Sequence, residues 1–251
     1  MFASIKLFRI FWIALIAASV IVIVKYNIHA LNLEIIEQSS LHNSVVSSVV
    51  FVIGFLLSAT IADYKESERI PSDFAANIED MYNDAVAVHG SYPVFDIDGF
   101  RIQLQKIANE FGSDVRNKAQ TTKKHINELA PFYAAMETGK VPPNFIVKLK
   151  QQSTLLLRSQ NRVNYIQQIK FIPSATILAR SIAAALILLL MFTNIDPFYG
   201  GLAIVGIISF VLVYVLVLIS VISTPFHAAG KTRDDVSLFL VSQVAKRLAK
   251  K

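Results

Sequence analysis

The chain has 251 residues, 54% of them hydrophobic, a formal net charge of +6 and no cysteine. The lack of thiols excludes disulfide frameworks, thiolate metal sites and cysteine nucleophiles. The apolar residues gather in long runs, which points to membrane spans rather than one large soluble core. The basic residues flank those runs, where they set topology, so no nucleic-acid partner is expected.

Four runs are long enough to span a bilayer, for which a helix of ~20 residues suffices. The first covers about residues 10–24, after Lys6 and Arg9. Its basic flank imitates a secretory signal, but Lys25, Tyr26, Asn27 and Ile28 follow instead of a small-residue cleavage site, so a retained anchor is expected. The second, about residues 44–62, lies in a stretch from Gln38 to Ala62 without Asp, Glu, Lys or Arg. The third runs from Pro173 to about Ile195, interrupted by Arg180, and the fourth from about Tyr199 to Ser223. Lys65 and Arg69 follow span two; Arg158, Arg162 and Lys170 precede span three; Lys231 and Arg233 follow span four. The two opposite loops hold only Lys25, Glu34, Glu37 and Asp196. The positive-inside rule then places both termini in the cytoplasm. The expected architecture is all-α: an N-terminal hairpin (1–62), a cytoplasmic helical domain (63–172), a C-terminal hairpin (173–226) and a basic cytoplasmic tail (227–251).

Residues 63–172 carry 14 Lys and Arg against 13 Asp and Glu, too polar to cross a bilayer. Phe74, Ile78, Met81, Tyr82 and Ala85 share one helical face. Leu104, Ile107, Ala108, Phe111 and Val115 make a second stripe, and Ile126, Leu129, Tyr133 and Met136 a third. After Gly139, Pro142 and Pro143 a long helix is expected. Its seam, Ile146, Leu149, Ser153, Leu156, Gln160, Val163 and Gln167, packs either inside one subunit or between subunits, or lines a wet passage. No strand is expected outside the spans. Lys246, Arg247, Lys250 and Lys251 read as a solvated tail beside the membrane, with binding to anionic lipid as the alternative.

Enzyme motifs are absent: there is no P-loop, no GxGxxG and no nucleophile elbow. His29, His42, His89, His125 and His227 show no metal-ligand spacing, so neither metal nor cofactor is expected. Asp96, Asp98 and Gly99 resemble the start of a calcium loop, but Ile107 occupies the twelfth position; the stretch reads as a helix cap. In span two, Ser44, Ser47, Phe51, Phe55, Ser58 and Ala62 share one face, with Asn43 beside it. Hydroxyls above and below two aromatic rings suit a pore lining, in which apolar rings constrict and hydroxyls solvate an ion. Close helix packing through small residues, with Phe filling gaps, explains the same stripe. Arg180 either snorkels to the cytoplasmic surface or draws anions toward a pore.

The segment Phe51-Val52-Ile53-Gly54-Phe55, followed by Asp63-Tyr64-Lys65-Glu66, resembles the second span of bestrophins and their prokaryotic relatives. Asp63 and Tyr64 stand where those proteins carry a basic and aromatic stretch. Ile172-Pro173 ahead of Arg180, Thr224-Pro225-Phe226 after span four, and Asp234-Asp235-Val236-Ser237-Leu238 extend the similarity. The resemblance implies a homopentameric channel in the bacterial inner membrane, conducting small inorganic anions such as chloride and contacting membrane lipid. Span two would line the pore, with a neck at Ser47, Phe51 and Phe55 and further lining at Asn43, Ser44, Ser58 and Ala62. Position 47 is usually aliphatic in bestrophins, so a wetter neck is implied. Asp234 and Asp235 are the only candidates for a calcium-sensing acidic pair, and a cap on a final helix from Val236 to Leu248 is the expected role. A reading from another class is a non-conducting scaffold or sensor whose cytoplasmic helices bind a partner.

Overall fold

The computed structural model describes residues 9–168, 173–226 and 235–250. Of the residues named above, Lys6, Lys170, Ile172, His227, Lys231, Arg233, Asp234 and Lys251 lie outside that set. In chain order the elements are α1 (Arg9–Ala30), β1 (Ile36–Glu37), α2 (Ser40–Ser91), α3 (Ile97–Asn117), α4 (Thr121–Asn127), α5 (Ala130–Thr138), α6 (Pro143–Gln168), α7 (Pro173–Phe192), β2 (Thr193–Asn194), α8 (Phe198–Ile222) and α9 (Phe239–Lys250). The fold is all-α. The one departure among the described residues is a two-residue parallel pairing of β1 with β2, Ile36 opposite Thr193 and Glu37 opposite Asn194. So short a pairing carries no run of alternating residues for a sequence to reveal.

Two boundaries differ from expectation. α1 runs six residues beyond Val24 to Ala30, which places Lys25 inside the helix rather than in a loop. The helix that carries span two does not stop at Ala62: α2 is one helix of 52 residues through Ser91. The change of composition at Asp63 marks a change of surroundings, not of backbone. The same i→i−4 ladder serves in an apolar and in an aqueous medium.

The chain divides into two compact units. Residues 9–63 and 173–223 form the first. Its core takes Ile53 from α2, Ala183, Leu186 and Leu190 from one face of α7, and Val205 and Leu212 from one face of α8. α1 lies along α8, with Phe11 edge-on to Phe210 and Val22 against the bare Cα of Gly206. Ala14 and Ala18 are buried on α1, where small residues permit close helix approach. Among the described residues, four helices are long and apolar enough to cross a membrane: α1, α2, α7 and α8. Their most apolar stretches remain largely uncovered, with 17% buried in α1, 22% in α7 and α8, and only 6% in α2. Water does not tolerate so much bare apolar helix surface, and the chain is a multi-pass membrane protein.

Residues 64–168, 224–226 and 235–250 form the second unit, an ordinary helical core. The three stripes expected from periodicity meet inside it: Phe74, Ile78 and Met81 of α2 with Leu104, Ile107 and Phe111 of α3, and with Leu129 and Met136 around α5. Phe74 and Phe111 stack with ring centroids 3.8 Å apart. Full burial of such a side chain stabilises by about 1.5–3 kcal/mol. Asp96 caps α3 and accepts from Gly99 N–H at 2.9 Å, as the turn reading expected.

The α6 seam packs inside this unit. Tyr133 reaches Ser153, Gln160 Nε2 donates to Asp114 Oδ2 at 3.3 Å, and Gln167 Nε2 donates to the Val115 carbonyl at 2.7 Å. Ser153 and Gln160 are buried and Gln167 half-buried, so the seam's polar members find partners inside one subunit. The basic residues of the tail, Lys246, Arg247 and Lys250, are exposed as expected, but the helix that carries them is docked. α9 lies against α3, buries Val241, Val244, Ala245 and Leu248, and pairs Arg247 with Glu79. It begins at Phe239, later than expected, where the Ser237 hydroxyl accepts from Phe239 N–H at 3.4 Å. Asp235 lies four residues upstream of that start.

Candidate pore-lining face and a polar clasp

The apolar half of α2 has two unlike faces. His42 and Ile53 are buried and Val46, Val49, Leu56 and Thr60 half-buried on the side turned to the first unit's core. The opposite side carries Asn43, Ser44, Ser47, Phe51, Phe55, Ser58 and Ala62, every one of them exposed. A helix has this division because residues three and four apart stack on one side. Phe51 is 76% exposed and Phe55 68%, so neither fills a gap inside the chain. A Cβ added to Gly54 meets nothing within 4 Å, so that glycine is not there to let another part of the chain approach.

The serines are not idle on this face. Ser44 donates to the Ser40 carbonyl at 3.0 Å and Ser48 to the Ser44 carbonyl at 2.8 Å. Such back-bonding uses the hydroxyl hydrogen and leaves the oxygen lone pairs presented outward. The neck and lining residues proposed from sequence thus form one continuous exposed stripe. Arg180 is exposed on α7 and makes no hydrogen bond or ion pair among the described residues.

A second arrangement escaped sequence reading. Lys25 is 1% exposed, near the C-terminal end of α1. Its ammonium donates to Glu34 in the α1–α2 loop, to the Thr193 carbonyl at 2.5 Å and to the Met191 carbonyl at 3.2 Å. All three of its hydrogens are used. The two carbonyls stand at the C-terminal end of α7, where backbone oxygens lack helical partners and a cation is favoured. His29 Nδ1 lies 2.7 Å from the other Glu34 oxygen, and its ring stacks on Phe198 with centroids 3.7 Å apart. Thr193 Oγ1 donates to the Leu189 carbonyl at 2.7 Å and lies 3.4 Å from His42 Nδ1 in the first turn of α2. Burial pushes the Glu34 carboxyl up, but the hydrogen bonds and charges of Lys25 and His29 outweigh it and hold the group below the ordinary carboxylate value. The two members of the ion pair stand nine residues apart, and the lysine's other partners are carbonyls more than 160 positions away. No side-chain motif marks such an arrangement.

No protein-family profile matches this sequence, and no curated protein does. Solved structures do match it. Three variants of a bacterial bestrophin homolog from Klebsiella pneumoniae superpose with TM-scores of 0.79, 0.78 and 0.77. Their sequence identities are 11%, 11% and 12%; the match covers 98% of this chain and 97–98% of theirs. At that identity the likeness speaks for the fold alone. Along nearly its whole length, the chain has the fold of the bacterial bestrophin homologs.

Proposed function

We propose that this chain is the subunit of a bestrophin-like ion channel, a homopentamer that conducts small inorganic anions through a central pore lined by α2. The single observation that carries the reading is the exposed stripe of α2 on a chain with the bestrophin fold. This apolar segment is the least covered of the four, yet it carries serines at four positions facing away from the core. A face turned only to lipid gains nothing from hydroxyl oxygens or Asn43. Stacked rings of Phe51 and Phe55 would make a neck, with Ser47 on one side and Ser58 on the other. Ring edges are electropositive, which favours an anion passing beside them. Arg180 would add positive potential near the cytoplasmic side.

In the same reading both termini and the second unit face the cytoplasm of a bacterial cell, and the loops holding Lys25, Glu34 and Asp196 face outward. Purified protein in liposomes, under imposed chloride and potassium gradients, tests the function directly. Chloride flux from a particle with the mass of five chains supports it. A monomer or dimer without flux favours a scaffold that binds a partner through the second unit. Because the chain has no native cysteine, Gly99→Cys and Ile195→Cys variants test the orientation. An impermeant thiol reagent on intact cells is expected to label position 195 and spare position 99.

A further inference from the structure

We propose that Lys25 and Glu34 are positioning residues for the pore: they fasten the outer end of α2 to the α7–α8 turn and so set the width and orientation of the outer mouth. The inference rests on the channel reading for its functional consequence, but its structural content stands apart from it.

The Lys25 ammonium holds the Thr193 carbonyl, and Thr193 is the residue that pairs with Ile36 in β1. Three residues after β1, α2 begins at Ser40. Thr193 also meets α2 through its hydroxyl, at the buried His42. Glu34, the ammonium's charged partner, sits two residues before β1. The first turn of α2 is therefore held by two routes, one through Glu34 and β1 and one through Thr193 and His42. Both end on the same nitrogen. Asn43 and Ser44, the outermost members of the exposed stripe, directly follow His42. A small rotation of that turn moves them toward or away from a central axis.

The charges make the fastening a sensitive one. A buried ammonium with three acceptors is satisfied; deprived of its carboxylate it is a buried charge without a counter-ion, and the reverse holds for Glu34. The groups share no slack: His29 braces the second Glu34 oxygen and is itself held flat against Phe198 at the start of α8. The other end of the stripe, at Ser58 and Ala62, lies about four to five helical turns away and is not reached by any of these bonds. Loss of the fastening is thus expected to act at one end of α2 and leave the other unchanged.

The test places single cysteines by Asn43→Cys or Ser58→Cys in the cysteine-free chain, attaches a nitroxide label, and compares the parent with Lys25→Met and Glu34→Gln in liposomes. Glu34→Gln keeps the size of the side chain and leaves the ammonium its two carbonyls, so it serves where Lys25→Met fails to assemble. Expected is a gain of label mobility at position 43 and none at position 58. The chloride-to-potassium permeability ratio should shift with it, at unchanged oligomer mass. Unchanged mobility at position 43 in both variants overturns the proposal. So does equal loosening at both positions together with a lowered melting temperature, which describes a merely structural ion pair. If position 43 responds while the parent protein passes no ion, the fastening stands and the channel reading falls.

Discussion

The Tyr133 hydroxyl lies 2.5 Å from Ser153 Oγ, joining α5 to α6 in the buried heart of the second unit. The direction of this bond follows from its neighbours. Ser153 spends its own hydrogen on the Leu149 carbonyl at 3.2 Å, so Tyr133 donates and Ser153 accepts. Burial pushes the Tyr133 phenol up to about 12.

The two ends of this bond are expected to respond unequally. Ser153→Ala leaves a buried phenol hydroxyl without an acceptor, which costs about 1–3 kcal/mol. Tyr133→Phe leaves Ser153 still bonded to Leu149, and only the net worth of one hydrogen bond, about 0.5–1.5 kcal/mol, is lost. The raised folded pKa also sets a pH dependence. The phenol's contribution is complete below its unfolded value near 10 and is lost as pH rises toward 12. Denaturation midpoints measured from pH 8 to pH 12 check both points. The parent should lose stability over the upper part of that range by more than Tyr133→Phe does.

The docked C-terminal helix makes a prediction that a solvated tail would not. Arg101 donates to the Leu248 carbonyl, closing the end of α9 with a cation where a helix favours one. Leu248 is itself buried, so Leu248→Ala should cost about 2–5 kcal/mol, the range for a large-to-small change in a packed core. Lys246 is exposed, and Lys246→Ala should stay within about 0.5 kcal/mol. Limited proteolysis and thermal melts of the two variants separate the cases. Equal, negligible effects would return α9 to the status of a tail.

What could be seen in the sequence follows from how each feature is encoded. The core stripes were visible because side chains at i, i+3, i+4 and i+7 report burial directly, and Phe74, Ile107 and Leu129 are buried as their spacing implies. The polar members of the α6 seam were visible as a pattern, but the pattern does not say which partner satisfies them. Tyr133, Asp114 and the Val115 carbonyl do so from inside the same unit. The continuity of α2 through Asp63 was hidden because composition changes there while helix propensity does not. Lys25 was hidden most deeply. In a membrane protein a lysine close to the end of an apolar run reads first as a topology signal. Only the fold brings it under the carbonyls that close α7.

Gly54 offers a test of what covers the exposed face of α2. Within the chain a Cβ there has open space. In the middle of a helix, Gly→Ala should then add up to about 1 kcal/mol of helix stability. If instead another subunit packs its backbone against this position, the added methyl group will split the assembly. Native mass measurement of Gly54→Ala at increasing detergent decides between them. An intact oligomer with a raised melting temperature is expected for a face that borders a water-filled axis.

Phe51 and Phe55 are both exposed on α2. They stand one helical turn apart on the exposed face, and around a central axis they would form two stacked constrictions. A buried Phe→Ala change costs ~3–5 kcal/mol through lost contacts and the cavity left behind. At 76% and 68% exposure those contacts do not exist within the chain, so Phe51→Ala with Phe55→Ala should leave the fold of the subunit and its melting temperature nearly unchanged. Flux should change instead. Removing two rings widens a constriction and lowers its dewetting barrier, so anion flux per oligomer should rise or become constitutive. The measurement is chloride efflux from loaded liposomes at matched oligomer content, with the single variants alongside. If the rings act as one neck, each single change should give less than half of the double variant's gain, because the remaining ring still constricts the path. A loss of assembly without a gain of flux would assign the two rings to contacts between subunits. Unchanged flux in an intact oligomer would place the neck elsewhere and remove the stripe's central evidence for a pore.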